Sequence, residues 1–133
     1  MTHNTTDLAH YPRQAAEEIR AFNHATLPFH PRYDGIRYPG TAYRAIGALK
    51  TLAERLPQSF DQTSTALAEL LTAGHLTADY ATPTEHVAAT RHALREAEQH
   101  ATALAASLNQ AHNASSPLGY QGPLDNTDDD LDL

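Results

Sequence analysis

Three side chains that can ligate a metal recur at steps of four residues: His92, Glu96 and His100. On a helix this spacing places them on one face, where two imidazoles and a carboxylate can hold a divalent cation. No fourth ligand is indicated elsewhere in the chain. Glu and His four residues apart also form an ordinary solvated pair on the outside of a helix. We interpret the triplet as an exposed helix face, and expect no metal and no cofactor.

The other reactive side chains do not form a catalytic pattern. No nucleophile has a paired base, no Gly-rich phosphate loop leads into a helix, and no metalloprotease motif is present. The chain has no Cys, so thiolate chemistry and disulfides are excluded. We therefore expect a protein that is not an enzyme.

Arginines and aromatic residues are interleaved between residues 29 and 44. Such interleaving is typical of surfaces that bind nucleic acids or other anions. The competing interpretation is that the aromatics cover neighbouring helices while the arginine stems lie along apolar surface. The net charge of −7 and the scarcity of lysine favour this second interpretation. The residues are Phe29, Arg32, Tyr33, Arg37, Tyr38, Tyr43 and Arg44.

The C-terminal residues 124–133 are acidic and end on a hydrophobic residue. A leucine and the chain-end carboxylate can dock into a basic pocket of a partner protein. The alternative is an acidic tail that only keeps the protein in solution. Over its last nine residues the tail resembles the acidic tails of bacterial single-stranded-DNA-binding proteins, although this chain lacks their barrel. The candidate contact residues are Asp128, Asp129, Asp130, Leu131 and Leu133.

The length and composition predict one small domain with two tails. At 133 residues and 41% hydrophobic content, the chain can form one core. We expect a disordered N-terminus over 1–10, a single helical domain over 11–114, and a flexible linker and acidic tail over 115–133. The N-terminus has neither a basic start nor an apolar run, and no stretch is long enough to span a membrane. We expect no membrane association and a cytoplasmic location.

The longest helical pattern runs from Thr82 to Asn113. It begins with a capping box formed by Thr82 and Glu85, with Pro83 at the first helical position. Its small and apolar residues then alternate between steps of three and four, which is typical of a seam for a partner helix. We expect this seam to contribute to self-association in a dimer. Its residues include Val87, Leu94, Ala97, Ala101, Leu104, Leu108 and Ala111.

A second helical pattern covers residues 41–73, and Pro57 interrupts it without changing the hydrophobic register. Proline removes one helical hydrogen bond, so we expect either one kinked helix or two helices meeting at Pro57. Gly74 is the expected C-cap. The connection that follows carries Leu76 and Tyr80, which can cover the end of a hairpin.

Together these patterns predict an all-α fold built on an antiparallel helical hairpin. The two arms have matching lengths and are joined by a short connection. A short amphipathic helix over residues 12–24 is expected to pack on the hairpin through Ala15, Ile19 and Phe22. The Ala-rich seam adds little buried area, so further burial from this helix or from a second subunit is needed.

Formal charge is unevenly distributed along the chain. Residues 11–55 contain seven cations and four anions, which gives +3, whereas residues 56–133 contain two cations and eleven anions, which gives −9. Such asymmetry is typical of charged partners or of head-to-tail self-contact.

Residues 15–24, 38–43 and 49–58 resemble small helical proteins of unassigned function in actinobacteria, some of which are found near mobile-element genes. This resemblance implies no activity. A second resemblance is to the secreted helical hairpins named for a Trp-X-Gly turn, although this chain has no Trp and carries Gly74-His75-Leu76 at its turn.

Our leading hypothesis is a non-enzymatic adaptor or accessory protein that acts through protein-protein interaction and self-association, with an unknown protein partner. One alternative is a nucleic-acid-associated accessory factor that uses the loop over 29–44. The other is an exported helical hairpin, as the second resemblance implies.

Overall fold

The structure is a computed structural model, and it describes residues 7–28 and 35–123. These residues form three α-helices: α1 (His10–Ala25), α2 (Pro39–Thr72) and α3 (Pro83–Ser115). The described part of the chain contains no β-strand. The predicted all-α fold is therefore confirmed, and each helix lies within about two residues of its predicted bounds.

Helices α2 and α3 form the predicted antiparallel hairpin. With 34 and 33 residues, each arm is about 50 Å long at 1.5 Å per residue. Arg91 near the start of α3 contacts Ser64 in the last third of α2, and His112 near the end of α3 contacts Tyr43 near the start of α2. These two contacts fix the antiparallel direction.

The turn between the two arms begins with a Schellman motif. His75 N–H donates to the carbonyl of Leu70 at 3.1 Å, and Gly74 N–H donates to that of Leu71 at 3.0 Å. Gly74 has φ +73°, which glycine adopts without steric cost. The expected stop at Gly74 is confirmed. The expectation for Tyr80 is wrong: its side chain is 73% exposed and packs edge-on against His86 instead of covering the hairpin end.

Helix α3 begins with the predicted capping box. Glu85 N–H donates to Thr82 Oγ1 at 3.1 Å, and Thr82 N–H donates to Glu85 Oε2 at 3.3 Å. Two backbone donors at the start of the helix are thereby satisfied. The boundary of α3 is thus encoded locally by its own sequence.

Pro57 lies inside α2, which continues as one helix on both sides of it. Of the two arrangements expected at this position, the structure contains the single helix. Pro57 has no N–H, so the carbonyl of Ala53 lacks its usual helical donor. The hydrophobic register is nevertheless the same before and after the proline, which lets one face of α2 follow α3 along its whole length.

The core of the hairpin is thin. The buried apolar residues of the described chain are Ala53, Val87 and Ala101, and no large side chain there is fully buried. Small residues let the two helix backbones approach closely but remove little apolar surface from water. No described helix is long and apolar enough to cross a membrane.

Helix α1 lies beside α2 without close backbone packing. None of its Cα atoms comes within 8 Å of a Cα atom in α2 or α3. The side chains of α1 and α2 instead line an open groove of about 300 Å³. The short N-terminal helix is present as predicted, and it meets the hairpin through this groove.

Candidate functional site

The contact between α2 and α3 includes a polar pair. Arg91 Nε donates a hydrogen bond of 2.9 Å to Ser64 Oγ. Ser64 is 7% exposed, and Arg91 is half-buried. A buried hydroxyl needs such a partner, because desolvation without one is costly. The pair links residues 27 positions apart and therefore fixes how the two arms align.

An aromatic stack closes the open end of the hairpin. The rings of Tyr43 and His112 are nearly parallel, with centroids 4.0 Å apart and an interplanar angle of 16°. Gly47 leaves room for this arrangement, since a Cβ there would lie 3.0 Å from His112 Nε2. Tyr43 precedes Ser64 by the same number of residues as His112 follows Arg91, so the two contacts share one register.

The segment after α3 returns to the start of α2. Tyr120 packs edge-on against Tyr38, with ring centroids 4.8 Å apart. The Tyr120 hydroxyl donates to the carbonyl of Pro123. Two of the aromatics in the interleaved segment, Tyr38 and Tyr43, are therefore in contact with residues of the C-terminal part of the chain.

The other members of that segment are divided between described and undescribed residues. Arg37 and Arg44 are exposed. Phe29, Arg32 and Tyr33 lie outside the described residues. The same is true of the tail residues Asp128, Asp129, Asp130, Leu131 and Leu133. The predictions for these eight residues therefore lie outside the described part of the chain.

The seam predicted on α3 packs against α2 of the same chain over most of its residues. Val87 and Ala101 are buried, and Leu94 and Leu108 are half-buried, whereas Leu104 is 49% exposed. Arg91, which makes the hydrogen bond to Ser64, and His112, which stacks on Tyr43, belong to a second row of α3 residues that also faces α2. That row is half-buried and consists of Arg91, Glu98, Ala105 and His112.

The groove between α1 and α2 is an open surface lined almost entirely by apolar side chains. On the α1 side, Ile19 and Phe22 are half-buried. On the α2 side, Leu49 and Leu52 are half-buried and Ala48 is exposed. One charged residue, Glu18, lies at its edge. The lining residues are Ala15, Glu18, Ile19, Phe22, Ala45, Ala48, Leu49 and Leu52.

The His92, Glu96 and His100 triplet lies on the exposed side of α3, as expected. His92 Nε2 is 3.3 Å from Glu96 Oε1, which is the solvated pair that the spacing predicts. Within residues 7–28 and 35–123, no group of three or more His, Asp or Glu side chains is arranged to hold a metal ion.

No protein-family model, curated protein or solved structure matches this chain. The resemblances drawn from its sequence segments therefore stay predictions.

Sequence reasoning did not single out His112, Gly47, Ser64 and Arg91 as contact residues. A signal for them exists. Once two arms of equal length are aligned antiparallel, Tyr43 is level with His112 and Ser64 with Arg91. Polar and aromatic residues at such matched positions indicate cross-helix contacts, which a search for purely apolar periodicity passes over.

Proposed function

We propose that this protein is a non-enzymatic helical adaptor that acts through protein-protein interaction and self-association. The observation that carries the proposal is the contrast between its closed and open surfaces. The seam between α2 and α3 buries few and mainly small residues, while the groove beside α1 leaves the larger side chains Ile19, Phe22, Leu49 and Leu52 only half-buried.

The energetics of a thin hairpin support this proposal. Ordering each residue costs roughly 1–2 kcal/mol of backbone entropy, and the arms alone comprise 34 and 33 residues. Ala53, Val87 and Ala101 are the buried apolar residues of the described chain. A protein with so little internal burial gains stability when a second surface covers its remaining apolar side chains.

Sedimentation velocity of the purified chain over a range of micromolar concentrations tests the self-association. We expect the mass to rise from monomer to dimer with concentration. Thermal stability should rise over the same range, because binding to the folded state stabilises it. A monomer whose melting temperature is independent of concentration would contradict the proposal.

The nucleic-acid alternative receives no support from the described contacts. Tyr38 and Tyr43 pack against Tyr120 and His112, so their rings are engaged within the chain. A salt titration of binding to DNA tests the alternative. Binding that falls steeply with salt would support it, and no binding at low salt would remove it.

The proposed cytoplasmic location and the alternative of an exported hairpin can be separated by where the protein is found. A cytoplasmic adaptor should stay in the cell fraction, whereas an exported helical hairpin should appear in the medium. Fractionation of cells expressing the chain with an epitope tag inserted after Thr77 separates these outcomes. Thr77 suits the insertion, since it is exposed in the connection between the arms and lies beyond the Schellman motif.

A further inference from the structure

We infer that the groove between α1 and α2 is a dimer face, and that its occupant is the same face of a second copy of this chain. The inference depends on the proposed self-association and names the surface responsible for it. The two copies would be related by a two-fold axis, so that α1 and α2 of one copy pack on α1 and α2 of the other.

The seam of α3 has little apolar surface left for this role. Val87 and Ala101 are already buried against α2, and Leu94 and Leu108 are half-buried there. Leu104 and Ala111 are the members of the predicted seam that stay exposed. A dimer built on α3 would therefore rest on one leucine and one alanine, whereas the groove offers apolar side chains from two helices.

The separation between α1 and α2 also favours the insertion of side chains from a second copy between them. Packed helices have axes about 8–10 Å apart, and backbones in such contact normally bring some Cα atoms within 8 Å. Here no Cα atom of α1 approaches one in α2 that closely. The two helices thus form the walls of a groove into which the side chains of another helix layer can insert.

The face is complementary to itself in shape. Each helix contributes both large and small side chains: Ile19, Phe22 and Ala15 on α1, and Leu49, Leu52, Ala45 and Ala48 on α2. A two-fold axis can place large side chains of one copy over alanines of the other. Knobs from each copy then fill holes in its partner, as in four-helix bundles.

Charge at the edge of the face is complementary as well. Glu18 lines the groove on the α1 side. Arg44 and Arg55 are both exposed, and their spacing of three helical turns puts them together on one flank of the α2 face. The two-fold arrangement can bring Glu18 of each copy to an arginine of the other.

The size of the face predicts a weak dimer. Two adjacent helices, each about 10 Å wide and about 24 Å long over the 16 residues of α1, present on the order of 500 Å² per copy. A standard stable interface buries about 800 Å² per partner. A face of this size falls among the smaller, transient protein–protein interfaces.

A pair of matched arginine substitutions tests the surface. Ala48 lies in the groove and is exposed in the single chain, so Ala48→Arg should leave the monomer folded. Ala103 is exposed on the side of α3 opposite Ala101, which makes Ala103→Arg the control. We expect Ala48→Arg to weaken dimerisation at least about tenfold, because it places a charge in an apolar contact. Ala103→Arg should change the dissociation constant less than about twofold.

Single-cysteine variants provide a second measurement that does not depend on weakening the dimer. The natural chain has no Cys. With a short bis-maleimide, Ala48→Cys should form a cross-linked dimer in high yield, and Ala103→Cys should not. Circular dichroism of each variant verifies that its helices are intact.

The outcomes separate the inference from the proposed function. A wild-type chain that stays monomeric and does not cross-link at Ala48→Cys would overturn both, and would leave the groove to a helix of another protein. A dimer that survives Ala48→Arg and cross-links equally at the two sites would overturn the dimer face while leaving self-association in place.

Discussion

The hydrogen bond between Arg91 and Ser64 has different consequences depending on which partner is removed. Ser64→Ala leaves the Arg91 guanidinium without its seam acceptor, and should cost roughly 1 kcal/mol. Arg91→Met leaves the Ser64 hydroxyl without its Arg91 donor in a buried position, and should cost a similar amount. The double variant removes both polar groups and should be nearly as stable as the natural protein. Urea unfolding of the four proteins measures this cycle.

The prediction for this cycle is contradicted if the stability losses of the two single variants simply add. If the double variant loses the sum of the two single losses, the hydrogen bond does not couple the two arms. Thr51→Ala, a hydroxyl deletion at an exposed site of the same helix, is the matched control and should have little effect.

Gly47 lies where helix propensity and close packing oppose each other. Replacing a helical Gly by Ala usually stabilises a protein by roughly 0.5–1 kcal/mol. Here the new Cβ would approach His112 Nε2 to 3.0 Å and disturb the stack on Tyr43. We expect Gly47→Ala to be nearly neutral in the natural protein and stabilising by about 1 kcal/mol in a His112→Ala background. Thermal unfolding of the four proteins measures the difference.

Equal gains from Gly47→Ala in both backgrounds would show that His112 moves aside without cost. The stack would then contribute little to the open end of the hairpin. Gly119→Ala, where nothing lies within 4 Å of the built Cβ, shows the effect of the substitution without crowding at a site outside the helices.

Residue-level contacts were the part of this molecule hardest to predict from sequence. Apolar periodicity correctly marked Val87 and Ala101 as inward-facing, since both are buried. It placed Leu104 inward as well, and Leu104 is half exposed. The face that α3 turns to α2 also includes a hydrogen bond and a ring stack, and neither contributes to a hydrophobic pattern.

At the scale of the elements, the start of α3 depends on local chemistry that can be removed. Thr82→Ala eliminates the acceptor for Glu85 N–H and should destabilise the protein by about 1 kcal/mol. Thr84→Ala, in the first turn but exposed and outside the capping box, is the matched control. It should be neutral or slightly stabilising, because Ala is the better helix former. Chemical denaturation of the two variants tests the difference, and equal stability would mean that tertiary packing alone holds the start of α3.

The helix bounds, the turn at Gly74 and the antiparallel direction of the hairpin were all predictable from the sequence. The capping box, Gly74 and the 3.6-residue periodicity are local signals, and the structure contains the features that they encode. The distance between α1 and α2 was not predictable. An amphipathic stripe on α1 indicates that Ile19 and Phe22 face an apolar surface, but it carries no information on how closely the two helices approach.

At the scale of the whole molecule, the acidic tail should contribute charge without contributing stability. Deleting residues 124–133 removes five Asp and no cation, which changes the formal net charge from −7 to −2. We expect the melting temperature to change by less than about 2 °C, since 1 kcal/mol shifts it by roughly 4–8 °C in a domain of this size. A larger loss would mean that the tail packs on the helices, and deletion of residues 1–6 is the control for terminal truncation.

The division of charge between the two halves of the chain decides between two modes of self-association. Pairing α1 and α2 of one copy with the same helices of another brings together the region of residues 11–55, which carries +3 in each copy. Salt screens this repulsion and also the exposed edge pairs between Glu18 and arginine, which contribute little in any case, so the dissociation constant should change by less than about tenfold as ionic strength rises. Head-to-tail contact would instead join this region to residues 56–133, which carry −9, and salt would weaken it.

Sedimentation equilibrium at 0.1 M and 1 M sodium chloride distinguishes the two modes, because the Debye length falls from about 10 Å to about 3 Å over this range. A two-fold dimer through the apolar groove should keep its dissociation constant within about tenfold at the higher salt concentration, since burial of Ile19, Phe22, Leu49 and Leu52 is not screened by salt. Weakening by more than about tenfold would show that opposite charges hold the copies together. The Ala48→Arg variant sharpens the test: it adds one more positive charge to each face, so its residual association should recover more strongly with salt than that of the natural chain.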